Sequence, residues 1–313
     1  MDVIGIGNAI VDVICKVDET FLAQNKLKKG TMKLVEDNEF KNLLTSLKIE
    51  ETISGGSVAN TVVGLAQLGN KVGFIGKVNH DALGMKYEEG LKNENVRYFY
   101  SPKQELLSTG TCLILITPDS ERTMCTYLGT AGRISERDIN IDAIKKSKIT
   151  LLEGYLWDKG DPQKAFELAL KHSNKKAMSL SDQFCVERHK ENFTDLVKNH
   201  LDIVFSNEQE INHLVGSNSI NDVIHFAKKL NKLIVITRSE KGSIAIMGNE
   251  VFECASKKNL KLVDLTGAGD LFAAGFLNGY IKKQDIKSCL QEGTNLASEV
   301  IQILGARLEI KNN

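Results

Sequence analysis

From residue 149 onward the chain alternates short apolar runs with amphipathic stretches, and nothing else in the sequence restricts the fold as tightly. "ITLLEGYL" (149–156), "AMSLSD" (177–182), "LDIVFSN" (201–207) and "LIVITRS" (233–239) read as buried strands. "PQKAFELALKHS" and "INDVIHFAKKLN" between them carry helical periodicity. Strands joined through helices run parallel in one sheet, with the helices layered on its faces. "SIAIMG" and "EVFECA" flank Asn249 and predict a hairpin on the edge of that sheet.

The first third reads differently. "VIGIG" (3–7) and "KVGFIGKV" (71–78) are further buried strands, and "SVANTVVGLAQLG" (57–69) is a helix with Ser57 as N-cap and Gly69 as its stop. Residues 12–18, 29–35, 97–102 and 108–128 alternate polar and apolar and predict a second, smaller sheet with one polar face. Residues 1–11, 36–95 and 129–313 would then form an α/β core. Residues 12–35 and 96–128 would be a β-sheet lid over a cleft.

Forty basic residues balance forty acidic ones, so no net field favours nucleic acid or an anionic membrane. An anionic ligand has to be held locally. The six cysteines include no C-x-x-C pair, and the histidines show no metal-ligand spacing, which argues for reduced thiols in the cytoplasm and against a zinc cluster. "MDVIGIGNAIVDVICK" begins with an acid and contains Asp12, so it predicts a strand and no signal peptide. No apolar run reaches ~18 residues, the length a membrane span requires.

Chemistry concentrates in "VDLTGAGDLFAAGF" (263–276), read as strand, glycine turn and helix. A helix N-terminus presents unpaired N–H groups, and glycines let a backbone approach an anion closely. Gly267, Ala268 and Gly269 would therefore make a phosphate-sized site. Asp270 behind them would either cap the helix or do chemistry, and the stretch alone does not decide. No G-x-x-x-x-G-K-[ST] loop is present. "GIGNAI" hints at a dinucleotide turn, but Ile10 stands where the third glycine belongs and the acid, Asp12, follows too soon. In "FSNEQEINHL" (205–214), Ser206 with Gln209 would form a capping box.

"DLTGAGDLFAAGF" closely resembles the C-terminal motif of the ribokinase-like (PfkB) kinases, and the resemblance extends over residues 1–308. It implies a three-layer ribokinase-like α/β fold with a mainly parallel central sheet and a small β-sheet lid. It implies ATP and Mg²⁺, and leaves K⁺ dependence open. Asp270 would be the catalytic base, with Gly267, Ala268 and Gly269 as the anion hole. "SGGSVANT" (54–61) and "GNAIVD" (7–12) resemble the family's acceptor-binding segments. They assign Asn8, Asp12, Gly55, Gly56, Ser57 and Asn60 to the sugar. Asp12 suits a vicinal diol, since a carboxylate accepts two hydrogen bonds at once.

The family's N-x-x-E motif falls on Asn207 and Glu210 and would organise Mg²⁺ through water. Thr237 and Gly242 match a loop around the ATP phosphates, with Ser239 in place of its middle glycine. Asn295, in "EGTNLASEVIQILGARL" (292–308), matches a polar position on the helix beside adenine. A plain amphipathic helix is the alternative there, since Leu296, Val300, Ile303 and Leu304 recur at helical spacing.

Within the family the N-terminal half resembles the adenosine kinases. "STGTCLILITPDSERTM" (108–124) is similar to lid strands that bring an arginine, here Arg122, to the transferred charge; a surface-strand arginine is the plain alternative. The activity implied is phosphorylation of the 5′-hydroxyl of adenosine. A sugar kinase of the same family, and after it a non-catalytic nucleotide-binding protein, are the rivals. The expected partners are small molecules, and the expected assembly is a monomer or a homodimer through the lid. Base contacts from Tyr127, Tyr155 and Phe184 are left open.

Overall fold

The structure, a computed structural model, describes residues 1–119, 121–158, 160 and 162–308. Its strands are β1 (Val3–Ile6), β2 (Ile10–Lys16), β3 (Met32–Leu34), β4 (Ile49–Ser54), β5 (Val72–Ile75), β6 (Arg97–Tyr98), β7 (Gly110–Ile116), β8 (Arg122–Tyr127), β9 (Ile149–Glu153), β10 (Lys175–Ser179), β11 (Ile203–Asn207), β12 (Leu233–Thr237), β13 (Ser243–Met247) and β14 (Glu250–Cys254). Nine of them form one sheet in the order β14-β13-β12-β11-β10-β9-β1-β5-β6. It is parallel from β12 to β6, and β13 and β14 close it as the expected antiparallel hairpin.

Neighbouring residues on these strands enter opposite cores. Val3, Leu151, Ile203 and Leu233 pack toward the helices Ser57–Gln67, Ala268–Ile281 and Ile286–Val300. Ile4, Leu152, Val204 and Ile234 pack toward Pro162–His172, Glu208–Val215 and Ile220–Leu230. Burial on both faces explains why the strands are continuous apolar runs and not alternating ones. The Ala268–Ile281 and Ser57–Gln67 helices touch closely: a Cβ on Gly64 would lie 2.8 Å from Leu271 Cδ1.

The second sheet runs β3-β8-β7-β2-β4. The chain passes from the large sheet to the small one between β1 and β2. Val13, Cys15, Leu113, Leu115, Cys125 and Tyr127 face helices carrying Leu22, Phe40 and Leu43. Ile10, Ile14, Cys112 and Ile114 face the other way. The inner face thus mixes apolar residues with Asp12 and Arg122 and is not uniformly polar, and the outer face is covered by the chain's own helices.

Several other expectations are corrected. Residues 97–98 do not join the small sheet; they extend the large one beside β5, where Tyr98 stacks on Phe74. β4 joins the small sheet instead, as an edge strand whose Glu50 and Glu51 point to solvent. The segment before Gly267 is a loop, not a strand: Val263 and Asp264 both donate backbone N–H bonds to the Ile301 carbonyl. The last helix stops at Val300, so Ile303 and Leu304 lie beyond it and Leu304 is exposed. All six cysteines are buried free thiols. Among the described residues, no helix is long and apolar enough to cross a membrane.

Candidate active site

The alternation along β2 turns Asp12 inward, between Ile10 and Ile14. The glycine pair 55–56 lies against it. A Cβ on Gly55 would run into the Asp12 carboxylate, and one on Gly56 into the Asn8 carbonyl. Gly56 also has φ of +101°, a conformation that side chains resist, and it is this residue, not Ser57, that caps the Ser57–Gln67 helix. That frees the Ser57 hydroxyl for another partner.

The partner is Asp270. Gly267, with φ of +77°, is the N-cap of the Ala268–Ile281 helix, and no side chain caps it. Asp270 stands in the first turn with its carboxylate turned sideways. It accepts a hydrogen bond from Ser57 Oγ at 2.6 Å and another from Asn60 Nδ2 at 3.1 Å. Asp270 is therefore not a cap; two helix N-termini meet across its side chain. Burial pushes its pKa up to about 6, against the opposing pull of Ser57, Asn60 and the Arg307 cation. Burial raises Asp12 to about 7, although Arg307 and Arg122 oppose the shift; Asp270 adds to it.

Asp12, Asn60, Arg122 and Arg307 line one cavity of about 60 Å³, with Ile14 and Ile114 from the small sheet as apolar wall. A small-molecule pocket usually occupies about 300–1,000 Å³. The cleft between the two sheets is thus closed in this conformation, and an acceptor needs it opened. Tyr127, Tyr155 and Phe184 do not line it. Tyr127 packs with Phe40 on the outer side of the small sheet, Tyr155 lies beside Ser181, and Phe184 is exposed.

A Cβ on Gly269 would meet nothing within 4 Å, so the first turn of the helix opens onto free space. Asp264 braces the turn by accepting the backbone N–H of Thr266 at 3.0 Å and of Gly305 at 2.7 Å, and it pairs with Arg122. Arg122 is only 8% exposed, so it is no surface-strand arginine; its ion pair ties β8 of the small sheet to the turn.

Asn207 and Thr237 sit side by side at the C-terminal ends of β11 and β12, where ligands of open α/β sheets bind. The capping box here is Asn207 with Glu210, not Ser206 with Gln209. Asn207 Oδ1 accepts from Glu210 N at 2.8 Å, and Glu210 accepts from Asn207 N at 3.0 Å. Burial, with Asp182 and Asp270 adding repulsion, raises Glu210 to about 8. These oxygens already accept N–H groups of the pair, and oxygen donors of this kind are what a hydrated hard cation takes.

Ser239 adopts φ of +50°, a left-handed conformation that glycine favours. A Cβ on Gly242 would strike the Cys254 carbonyl. Asn295, half-buried, accepts from Gln291 Nε2 at 3.1 Å.

Asn8 is held by a buried carboxylate. It donates to Glu153 Oε1 through Nδ2 at 3.0 Å and through its backbone N–H at 3.2 Å. Glu153 also accepts from Val58 N at 3.0 Å, so this buried carboxylate anchors the start of the Ser57–Gln67 helix. Burial lifts it to about 7. Sequence reasoning missed Glu153, Asp264 and Arg307. An acid inside the apolar run "ITLLEGYL" was the available signal for the first.

A model of the pfkB family carbohydrate kinases matches residues 6–313. The crystal structure of adenosine kinase from Sinorhizobium meliloti superposes with a TM-score of 0.92 and 36% identity, covering 98% of this chain and 95% of that one. Adenosine kinase 2 of Arabidopsis thaliana is 26% identical over 96% of this chain and 94% of its own length. A 5-dehydro-2-deoxygluconokinase of Bacillus licheniformis is 31% identical over 79% of this chain and 80% of its own. The two-sheet architecture is the ribokinase-like fold of these kinases.

Proposed function

The chain belongs to the pfkB family of carbohydrate kinases, and from that premise we propose that it transfers the γ-phosphoryl group of ATP to the 5′-hydroxyl of adenosine, giving AMP and ADP. The observation that carries the reading is the Asp270 carboxylate, held by Ser57 and Asn60 at the uncapped start of the Ala268–Ile281 helix.

Asp12 and Asn60 bind the ribose hydroxyls, since both line the cavity. Asp270 orients the 5′-hydroxyl and takes its proton as the new O–P bond forms. Proton transfer late in the reaction suits a carboxylate of modest basicity. The N–H groups at 267–269 stabilise charge on the moving phosphoryl group. Asn207 and Glu210 would hold Mg²⁺ through water. That ion, when bound, neutralises phosphate charge. Thr237, Ser239, Gly242 and Asn295 flank the nucleotide. Arg122 adds positive charge beside Asp12 and keeps the small sheet over the site, so that water is excluded.

A second reading, a kinase for a free sugar or keto-sugar acid, draws support from the 5-dehydro-2-deoxygluconokinase relative. Initial rates of ADP formation with adenosine, ribose, fructose and a keto-sugar acid separate the two. Turnover of a sugar with none of adenosine would reverse the assignment.

A further inference from the structure

After Val300 the chain turns back and threads between the glycine turn and the Ser57–Gln67 helix. Gly305 N donates to Asp264, the space a Cβ on Gly267 would need is filled by Ala306 at 2.7 Å, and Gln67 Nε2 donates to the Leu308 carbonyl at 3.0 Å. This path sets Arg307 over Asn60: its Nε donates to Asn60 Oδ1 at 3.1 Å.

A guanidinium only donates, and a carboxylate only accepts. With Arg307 on one side and Asp270 on the other, Asn60 has a single satisfactory orientation, Oδ1 to the arginine and Nδ2 to the aspartate. Among the described residues Arg307 Nη2 is buried with no hydrogen-bond partner, on a side chain that lines the cavity with Asp12. A buried, unpaired donor of this kind is costly unless a ligand completes it. We propose that Arg307 is a positioning and acceptor-binding residue: it fixes the Asn60 amide so that Nδ2 holds Asp270, and it offers Nη2 to a hydroxyl oxygen of the acceptor bound beside Asp12. The proposal rests on the reading of Asp270 as proton acceptor.

The test uses the full chain with ATP and adenosine, or with whichever acceptor the wild type turns over. Arg307→Ala should lower kcat/KM for the acceptor by about 10-fold or more. It should leave KM for ATP within about twofold, and free guanidinium at a sub-denaturing concentration should restore part of the rate. Arg307→Lys, which keeps the charge but donates from a single nitrogen, should fall between. Wild-type kinetics in Arg307→Ala, or a loss confined to KM for ATP, overturns the proposal. Should Arg307→Ala melt below the assay temperature, Arg307→Lys decides. A wild-type melt with lowered acceptor kcat/KM supports the proposal, and unchanged kinetics overturns it. A wild type that forms ADP from no acceptor would remove the reading of Asp270 and this proposal with it. An active wild type with an indifferent Arg307→Ala removes this proposal alone.

Discussion

Replacing Asp270 by asparagine keeps the size of the side chain and removes its capacity to take a proton. The carboxylate now accepts two hydrogen bonds, from Ser57 Oγ at 2.6 Å and Asn60 Nδ2 at 3.1 Å. An asparagine has one acceptor oxygen. If it serves Ser57, two NH₂ groups face each other at Asn60, a loss of about 1–3 kcal/mol. Against that, the buried charge that raises the carboxyl to about 6 disappears, a gain of the same order. The fold should therefore survive with a melting temperature close to that of the wild type. The rate should not, since loss of a positioned base costs about 10²-fold or more, equivalent to about 2.7 kcal/mol. The assay is coupled ADP formation at saturating ATP and acceptor, with nucleotide and acceptor affinities measured separately by calorimetry. Near-normal affinities with a hundredfold loss in kcat are expected. Turnover within a few-fold of wild type would refute the assignment of Asp270 as base.

Four further outcomes follow from the same geometry. Because Asp270 must be ionised to act, kcat should fall as pH drops through about 6, while stability moves the opposite way. The folded carboxyls of Asp12, Glu153, Glu210 and Asp270 bind protons more tightly than unfolded ones, so urea midpoints should decline as pH rises from about 5 to 8; a midpoint rising over that range would contradict the burial assigned to them. Arg122→Met leaves the buried Asp264 carboxylate without its cation and should cost about 3 kcal/mol in urea unfolding. Adding Asp264→Asn should recover part of it, and no recovery would show that the pair is not coupled. Ser239→Gly relieves an exposed left-handed residue and should gain up to about 1 kcal/mol; a destabilised variant would mean that the serine conformation is not strained.

The large sheet was legible because its strands are buried on both faces and so stand out as apolar runs, as "LIVIT" within 233–237 does. β4 was not: "IEETIS" places two glutamates on a solvent edge, and only its pairing with β2 makes it a strand. β6 is two residues long, too short to carry a period. The glycine turn before Asp270 was legible because its glycines and acid are contiguous. Which way Asp270 points was not, since its partners Ser57 and Asn60 lie 213 and 210 residues away. Glu153 and Arg307 share that difficulty. Each looks like the end of a structural element, and each takes its role from a hydrogen bond that only the folded chain supplies.

The central claim, phosphoryl transfer to a nucleoside hydroxyl, is tested most directly by following label from [γ-³²P]ATP into products with adenosine and ribose as competing acceptors. The account predicts labelled AMP, formed one for one with ADP, and its loss in Asp270→Asn. Label appearing in ribose phosphate with none in AMP would contradict it.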